Sequence, residues 1–350
     1  MTKERPRRPS IKDVARDCGV APSTVSNALT SRRFVLPETR NRILESAARL
    51  GYRASTVARG LRMQRSWSVG LLLASISNPF YPEVARGVED VVAESGCHLI
   101  LCNTDYQDDK QDRYMRVLID RQVDGLILGS HPDERHLQEL RTAGVPFVLL
   151  NKGHGRLRGD YVGIDNRGGI AKAVEHLAKL GHRRIGFIRG HPMSGAADDR
   201  YDSYRDTVER LGLVRDPVLV APGRYDYVSG KVAGSQLLAL KHPPTAIVSS
   251  SDVMAVGAID AIRSLGKRVP EDVSVVGFDD IFMSSLPSIQ LTTIRVPKRD
   301  LGVAATRLLL ERIGGQRADQ PYEFSFPAEL IDRATTAPPK PAGRGKSSAA

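Results

Sequence analysis

Ser23, Thr24 and Asn27 follow Pro22 at spacings that, on a helix, turn them away from Val25, Ala28 and Leu29. Short hydroxyl and amide side chains near a helix start can begin the helix or hydrogen-bond an outside partner. Ser23 and Thr24, with Ser26 beside them, suit bases or phosphates. Asn27 suits the N6 and N7 edge of adenine, or is silent. Lys12, Arg32, Arg33, Arg40, Arg53 and Arg59 lie around this segment and suit phosphates. That chemistry is recognition of a duplex rather than bond breaking.

The sequence offers little that would catalyse. The run from Gly163 to Gly168 has the glycine spacing of a phosphate loop, but Gly169 and Ile170 stand in its Lys and Ser/Thr places. No GxSxG elbow occurs. His131 to His136 lacks the spacing and the glutamate of a zinc-protease helix, and Cys97-His98 with Cys102 lacks a fourth metal ligand. No enzyme activity, cofactor or metal is expected.

The elements that must position the recognition residues are legible. Ser10 and Asp13 form a capping box; Ile11, Val14, Ala15 and Cys18 keep helical spacing, and Gly19 stops the helix. A second helix starts near Pro22. A third runs from Pro37 to about Leu50 with Ile43, Leu44, Ala47, Ala48 and Leu50 inward, ending at Gly51. Three short helices, the first two joined by a tight glycine turn, predict a helix-turn-helix. Beyond them, apolar runs alternate with helical patterns. Strands are expected at Val69–Ala74, His98–Cys102, Gly125–Leu128 and Phe147–Leu150. The series then restarts at Ile185–Ile188, Leu219–Ala221, Ala246–Ser249 and Val273–Val276. Helices are expected near Tyr81–Glu94, Lys110–Arg121, Glu134–Ala143, Asp198–Leu211, Val228–Leu240 and Val253–Leu265. Two successive βα series predict two doubly wound parallel sheets, hence two similar lobes with a ligand cleft at the carboxyl ends of their strands.

Charge separates the same regions. Of 51 Lys/Arg and 40 Asp/Glu, residues 1–66 hold 15 and 5, residues 67–336 hold 33 and 35, and residues 337–350 hold 3 and none. A basic head on a nearly neutral body is the pattern of a polyanion-binding module attached to something else. The body has no apolar run near the roughly 20 residues of a membrane span. The charged N-terminus lacks the apolar segment of a secretory signal, and three cysteines without CxxC spacing fit a reducing compartment. A cytoplasmic protein is expected.

The head segment IKDVARDCGVAPSTVSNAL, followed by PETRNRILESAARLGYRASTVARGL, resembles the lactose/galactose repressor family of bacterial transcription regulators. The body carries matching motifs in order: Asn78-Pro79-Phe80, CNTD, RQVDGLIL, HLAKLGHRRIGFI, PPTAIVSSSDVMAVGA, VPEDVSVVGFDD and LTTIRVP. The match runs from about Ser10 to Thr335. It implies a sequence-specific DNA-binding regulator, most often a repressor. The core would be of periplasmic-binding-protein type I, binding a small effector between its lobes, and the assembly a homodimer or tetramer on a pseudo-palindromic operator. No heptad repeat follows Leu330, which favours the dimer. The implied divisions are a basic arm at 1–9, the helix-turn-helix at 10–54, a hinge helix and linker at 55–66, the core at 67–336 and a disordered tail at 337–350. Within the core, lobe one would take 67–163 and 294–322, and lobe two 164–293 and 323–336.

Residue by residue, the resemblance places Ser10, Lys12, Pro22, Ser23, Thr24, Ser26, Asn27 and Arg32 at DNA. It makes Ser55–Leu61 a hinge helix in which Ser55, Val57 and Ala58 face DNA and Leu61 is a minor-groove wedge. So short a helix, with Gly60 inside it, is unstable alone and should form only when two copies pack on DNA. Relatives carry Arg at Asn27, Ser at Ala21 and Leu36, and Pro at Ala54. The lost hydroxyl caps cost about 1 kcal/mol each. For the effector the resemblance assigns Asn78, Phe80, Asn151, Arg200, Tyr225, Ser251, Asp252 and Asp279. Such carboxylates, amides and a guanidinium bond adjacent hydroxyls while rings pack on a sugar's apolar face, so a sugar or sugar derivative is expected. Asn151 replaces a frequent Asp, which also admits an anionic ligand; Ser203 replaces a Gly. The principal rival is a stand-alone solute receptor, which the core alone would resemble.

Overall fold

A computed structural model of the protein describes residues 9–30, 33–52, 65–151, 157–316 and 320–340. The chain divides into two units, Met1–Ser66 and Trp67–Ala350. In the first, helices α1 (Ile11–Asp17), α2 (Pro22–Thr30) and α3 (Pro37–Leu50) pack around Val14, Ala15, Val25, Ala28, Ile43 and Ala47. The Asp13 carboxylate accepts hydrogen bonds from the Ser10 amide at 2.8 Å and the Ser10 hydroxyl at 2.7 Å, so the box at the start of α1 forms. Ser46 of α3 donates to Asp17 at 2.5 Å, and Arg49 also bonds that carboxylate, tying α3 to α1. Leu44, Ala48 and Leu50 are exposed rather than inward. Residues 43 and 47 lie one turn apart; the expected stripe was wider than the face a three-helix unit can bury.

The second unit is two parallel sheets clothed in helices. Lobe one carries β1 (Ser68–Leu73), β2 (His98–Asn103), β3 (Gly125–Gly129), β4 (Phe147–Leu150), β5 (Asp160–Ile164) and β11 (Glu323–Phe326), in the order β11-β5-β4-β3-β1-β2. Its helices are α4 (Phe80–Glu94), α5 (Asp108–Asp120), α6 (Glu134–Thr142) and α11 (Lys298–Ile313). Lobe two carries β6 (Ile185–Ile188), β7 (Val220–Ala221), β8 (Ala246–Ser249), β9 (Ser274–Asp279), β10 (Thr292–Arg295) and β12 (Glu329–Ile331), in the order β12-β10-β9-β8-β6-β7. Its helices are α7 (Asn166–Lys179), α8 (Gly195–Arg210), α9 (Tyr227–Leu238) and α10 (Asp252–Ser264). All pairings are parallel except β10 with β12. The inner strands are buried on both sides, which is why they read as unbroken apolar runs.

Two boundaries differ from expectation. Residues 323–326 pair with β5 and belong to lobe one, whereas Ile294 and Arg295 complete β10 of lobe two. The chain therefore crosses between lobes near 165, 297 and 327. Ala337 is no free tail: its amide bonds Ser274 Oγ at 3.1 Å and its carbonyl meets His182 at 2.9 Å. Residues 341–350 lie outside the described residues. In lobe one, α11 packs on α4 so closely that a Cβ at Gly87 would stand 2.0 Å from the Arg299 carbonyl. Arg312 of α11 also grips Asp160, its Nε and one terminal nitrogen at 2.6 and 2.7 Å from the two carboxylate oxygens. Among the described residues no helix is long and apolar enough to cross a membrane.

Candidate functional site

Loops leaving the carboxyl ends of β1, β2, β3, β4, β6, β7 and β9 converge on one crevice between the lobes. Lobe one contributes Asn78 and Phe80 after β1, with Tyr81, then Tyr106 after β2, Ser130 after β3 and Asn151 after β4. Lobe two contributes Ser194 after β6, Arg200 from α8, Tyr225 after β7 and Asp279 at the end of β9. Six of the eight residues assigned from sequence are thus brought together. Ser251 and Asp252 are not on the wall.

Arg200 organises lobe two's side. It is 3% exposed, and its guanidinium lies 3.7 Å over the Phe278 ring. Nε donates to Asn166 Oδ1 at 2.8 Å, one terminal nitrogen bonds the Ser250 carbonyl, and the other stands 3.7 Å from Asp279 Oδ1. That last separation is long for a hydrogen bond. Burial pushes the Asp279 carboxyl up to about 6, with Arg200 and then Lys298 pulling it back. The Asp279 backbone is itself unusual, at φ 114°, and Asp280 follows at φ 51°. Asp280 accepts from Arg295 at 2.7 Å and Arg333 at 2.6 Å, while Lys298 bonds the carbonyls of both aspartates at 2.5 and 2.8 Å. Arg295 and Lys298 bracket one lobe crossing and Arg333 follows another. The corner that presents Asp279 is therefore fastened to two of the connections between lobes.

Asp252 lies behind this corner, fully buried. Its carboxylate accepts from Thr293 Oγ1 at 2.5 Å, Ser284 Oγ at 2.7 Å and the Ile281 amide at 2.8 Å. It shapes the loop after Asp279 instead of facing the crevice. Burial first, and the Asp279 charge second, push its carboxyl up to about 7. Ser251 caps α10 through the Met254 amide at 3.4 Å. A motif match placed both residues near the crevice; it could not show that neighbouring donors had taken their oxygens.

Lobe one's polar groups are neutral. Asn78 Oδ1 accepts from the Phe80 amide at 3.0 Å, and Asn151, at φ 51°, accepts from Asn166 Nδ2 at 3.0 Å. Each oxygen is taken, which leaves the amide nitrogens for a ligand. Asn166 thereby links Asn151 of one lobe to Arg200 of the other, a role with no sequence signal. Ser130 was also missed: its hydroxyl is fully buried, lines the crevice and has no protein partner. Tyr81 and Tyr106, missed as well, bond through their hydroxyls, and burial raises both phenols.

In the first unit, Pro22 and Ser23 are exposed and Thr24, Ser26 and Asn27 half-buried on α2, while Val25 and Ala28 form its inner face. Lys12 is exposed, and Ser10 closes α1. Arg32, Ser55, Val57, Ala58 and Leu61 lie outside the described residues.

Comparison with known proteins fits both units. Residues 10–62 match the family described as bacterial regulatory proteins, lacI family, and residues 174–336 match a periplasmic binding protein-like domain. The ribose operon repressor of Halalkalibacterium halodurans is 35% identical over 328 residues, 93% of this chain and 97% of the relative. The lac repressor dimer bound to operator and an anti-inducer superposes with a TM-score of 0.84 at 26% identity, over 95% of this chain and all of that one. A LacI family regulator from Enterococcus faecium with bound ribose superposes at 0.70 and 28% identity, over 77% and 99%. With its three-helix head, its two-lobed core and a repressor relative alike along nearly its whole length, the chain belongs to the lacI family and is a DNA-binding transcriptional regulator.

Proposed function

We propose that the protein represses transcription as a homodimer on a pseudo-palindromic operator, and that an uncharged sugar or sugar derivative in the crevice sets its operator affinity. The observation that carries this reading is the Arg200–Asp279 pair. Its two groups stand 3.7 Å apart, buried, at the mouths of the strands. A sugar hydroxyl inserted there would donate to Asp279 and accept from Arg200, tightening both contacts. The amide nitrogens of Asn78 and Asn151 and the Ser130 hydroxyl offer further bonds, and Phe80 and Tyr225 offer apolar faces. Among the described lining residues Arg200 is the one cation and Asp279 the one carboxylate. Their charges cancel, so an uncharged ligand suits the crevice better than the anionic one that Asn151 had suggested.

Effector control follows from linkage: a ligand that favours one lobe arrangement shifts the state of the heads, and DNA shifts ligand affinity reciprocally. The Asp279–Asp280 corner is the route this reading favours, since it joins the crevice to two crossings. At DNA, α2 would enter the major groove with Asn27 at an adenine, and Leu61 would wedge the minor groove. The test is binding of the purified protein to genomic fragments with and without neutral sugars. Retention should fall with salt by about 0.9 log units per released charge, and one sugar should change it. Fragments ignored at low salt with every sugar would leave the rival, a solute receptor, in place.

A further inference from the structure

Tyr106 lies in the polar run Asn103–Asp109, where nothing in the sequence singles it out, yet its ring reaches from lobe one to the far wall. It stacks on His191 of lobe two with centroids 4.0 Å apart and planes 15° apart, and faces Tyr225 of the same lobe at 6.4 Å and 26°. On its own side it faces His131 at 6.0 Å. We infer that Tyr106 is a specificity-determining residue: stacked on His191, its ring closes the crevice over a ligand of one sugar ring and excludes a disaccharide. This rests on the reading of the crevice as a sugar site.

The position of the ring is built. Asp105 and Tyr106 both adopt left-handed backbone, at φ 52° and 56°, a conformation that costs side-chain-bearing residues and persists only where neighbours impose it. The neighbours are present. Asp105 accepts from Asn103 Nδ2 at 2.6 Å and Lys110 Nζ at 2.5 Å. Asn103 Oδ1 in turn takes the Ile76 amide at 2.9 Å, and the Thr104 hydroxyl donates to the Leu73 carbonyl at 3.2 Å. At the tip, the phenol bonds that of Tyr81. A ring anchored at both ends cannot swing aside cheaply.

The chemistry then divides the crevice. Arg200, Asp279 and Asn151 meet hydroxyls, whereas Tyr106 and Tyr225 offer faces that pack on the C–H surface of a sugar ring. A second sugar unit must part Tyr106 from His191, losing that stack and exposing both rings. Selection by such a penalty needs no repulsive charge.

The test uses the full chain and calorimetric titration with D-ribose, D-glucose, D-galactose, cellobiose and lactose. Wild type should bind at least one monosaccharide about tenfold or more tightly than either disaccharide. Tyr106→Ala should bring the disaccharide to monosaccharide ratio near one. Tyr106→Phe, which keeps the ring, should preserve it. His191→Ala removes the same stack from the other lobe and should repeat the change, which guards against a folding defect of the first variant. An unaltered ratio in Tyr106→Ala and His191→Ala, with all affinities lowered alike, would overturn the inference and leave the sugar site standing. A wild-type preference for a disaccharide would also overturn it. If folded wild type binds none of the five, the sugar reading fails and takes this one with it.

Discussion

A buried arginine–aspartate pair in one lobe can be set against one in the other, and the two are built differently. In lobe one, Arg312 holds Asp160 with two bonds of 2.6 and 2.7 Å, at the start of β5 and away from the crevice. In lobe two, Arg200 and Asp279 approach only to 3.7 Å, at the end of β9 and inside it. The first pair is complete without help; its geometry is that of a fastener between α11 and the sheet. The second leaves capacity unmet on both partners, and burial raises the Asp279 carboxyl further than Arg200 pulls it back. Between two folds of the same winding, bond length and strand end distinguish a closed ion pair from an open one.

Substitution and pH can break or sharpen that contrast. The largest effect should come from Arg200→Ala, with a loss of about a hundredfold in sugar affinity by calorimetry, since bonds to charged groups carry about 1.5–3 kcal/mol. Arg312→Ala should leave sugar affinity nearly intact but lower stability by about 3–5 kcal/mol in denaturant titration, because Asp160 stays buried without its partner. Equal losses of sugar binding in the two variants would erase the distinction.

Next in size is pH. On the proposed reading a sugar hydroxyl would donate to ionised Asp279, so sugar affinity should be about tenfold weaker at pH 5 than at pH 8, given a carboxyl pushed up to about 6. Stability runs the other way. Asp252, up at about 7, holds its proton more tightly folded than unfolded. Its contribution is complete below the usual carboxylate range and is lost as pH rises through about 7. Thermal melts of Asp252→Asn should therefore show a flatter profile between pH 5 and 8 than wild type. A sugar affinity flat over the same range would mean that Asp279 does not meet the ligand ionised.

A smaller change is expected from Asp280→Asn, which weakens the grip on Arg295 and Arg333. The ratio of operator affinities with and without sugar should shrink several-fold while sugar affinity moves by less than about threefold. Smallest should be lobe one's neutral contacts. Asn151→Ala should cost about fivefold in sugar affinity, the value of one uncharged hydrogen bond. Ser130→Ala should cost less than that and leave the ligand-free protein as stable or more so, because its buried hydroxyl has no protein partner.

The sequence conveyed the lobes through β1, β3 and β8, whose apolar runs are long enough to announce buried parallel strands. It hid α7, because Gly168 and Gly169 sit in its first turn and suggested a failed phosphate loop. In the structure Asp165 caps that helix through the Gly168 amide at 2.8 Å, and at Gly169 a Cβ would come within 2.8 Å of the Phe278 ring. The glycines serve close packing against lobe two's sheet. The strands β10, β11 and β12 are short and carry polar residues, so periodicity could not find them or assign them to lobes. For the crevice, motif matching found Arg200, Asp279, Asn78 and Asn151. It could not tell a wall residue from the one behind it, as Asp252 demonstrates, nor see Tyr106, whose importance arises only when the lobes face each other.

The late strands have a consequence for biosynthesis. β11 closes the edge of one sheet and β12 the edge of the other, and α11, which clasps α4 in the first lobe, follows β10 of the second. An elongating polypeptide cannot finish the first half until residue 326 has cleared the ribosome, nor the second until residue 331 has. Products that end before residue 323 would thus expose raw sheet edges in both halves at once. They would present themselves to proteolytic surveillance, instead of lingering as half-competent rivals at the promoter.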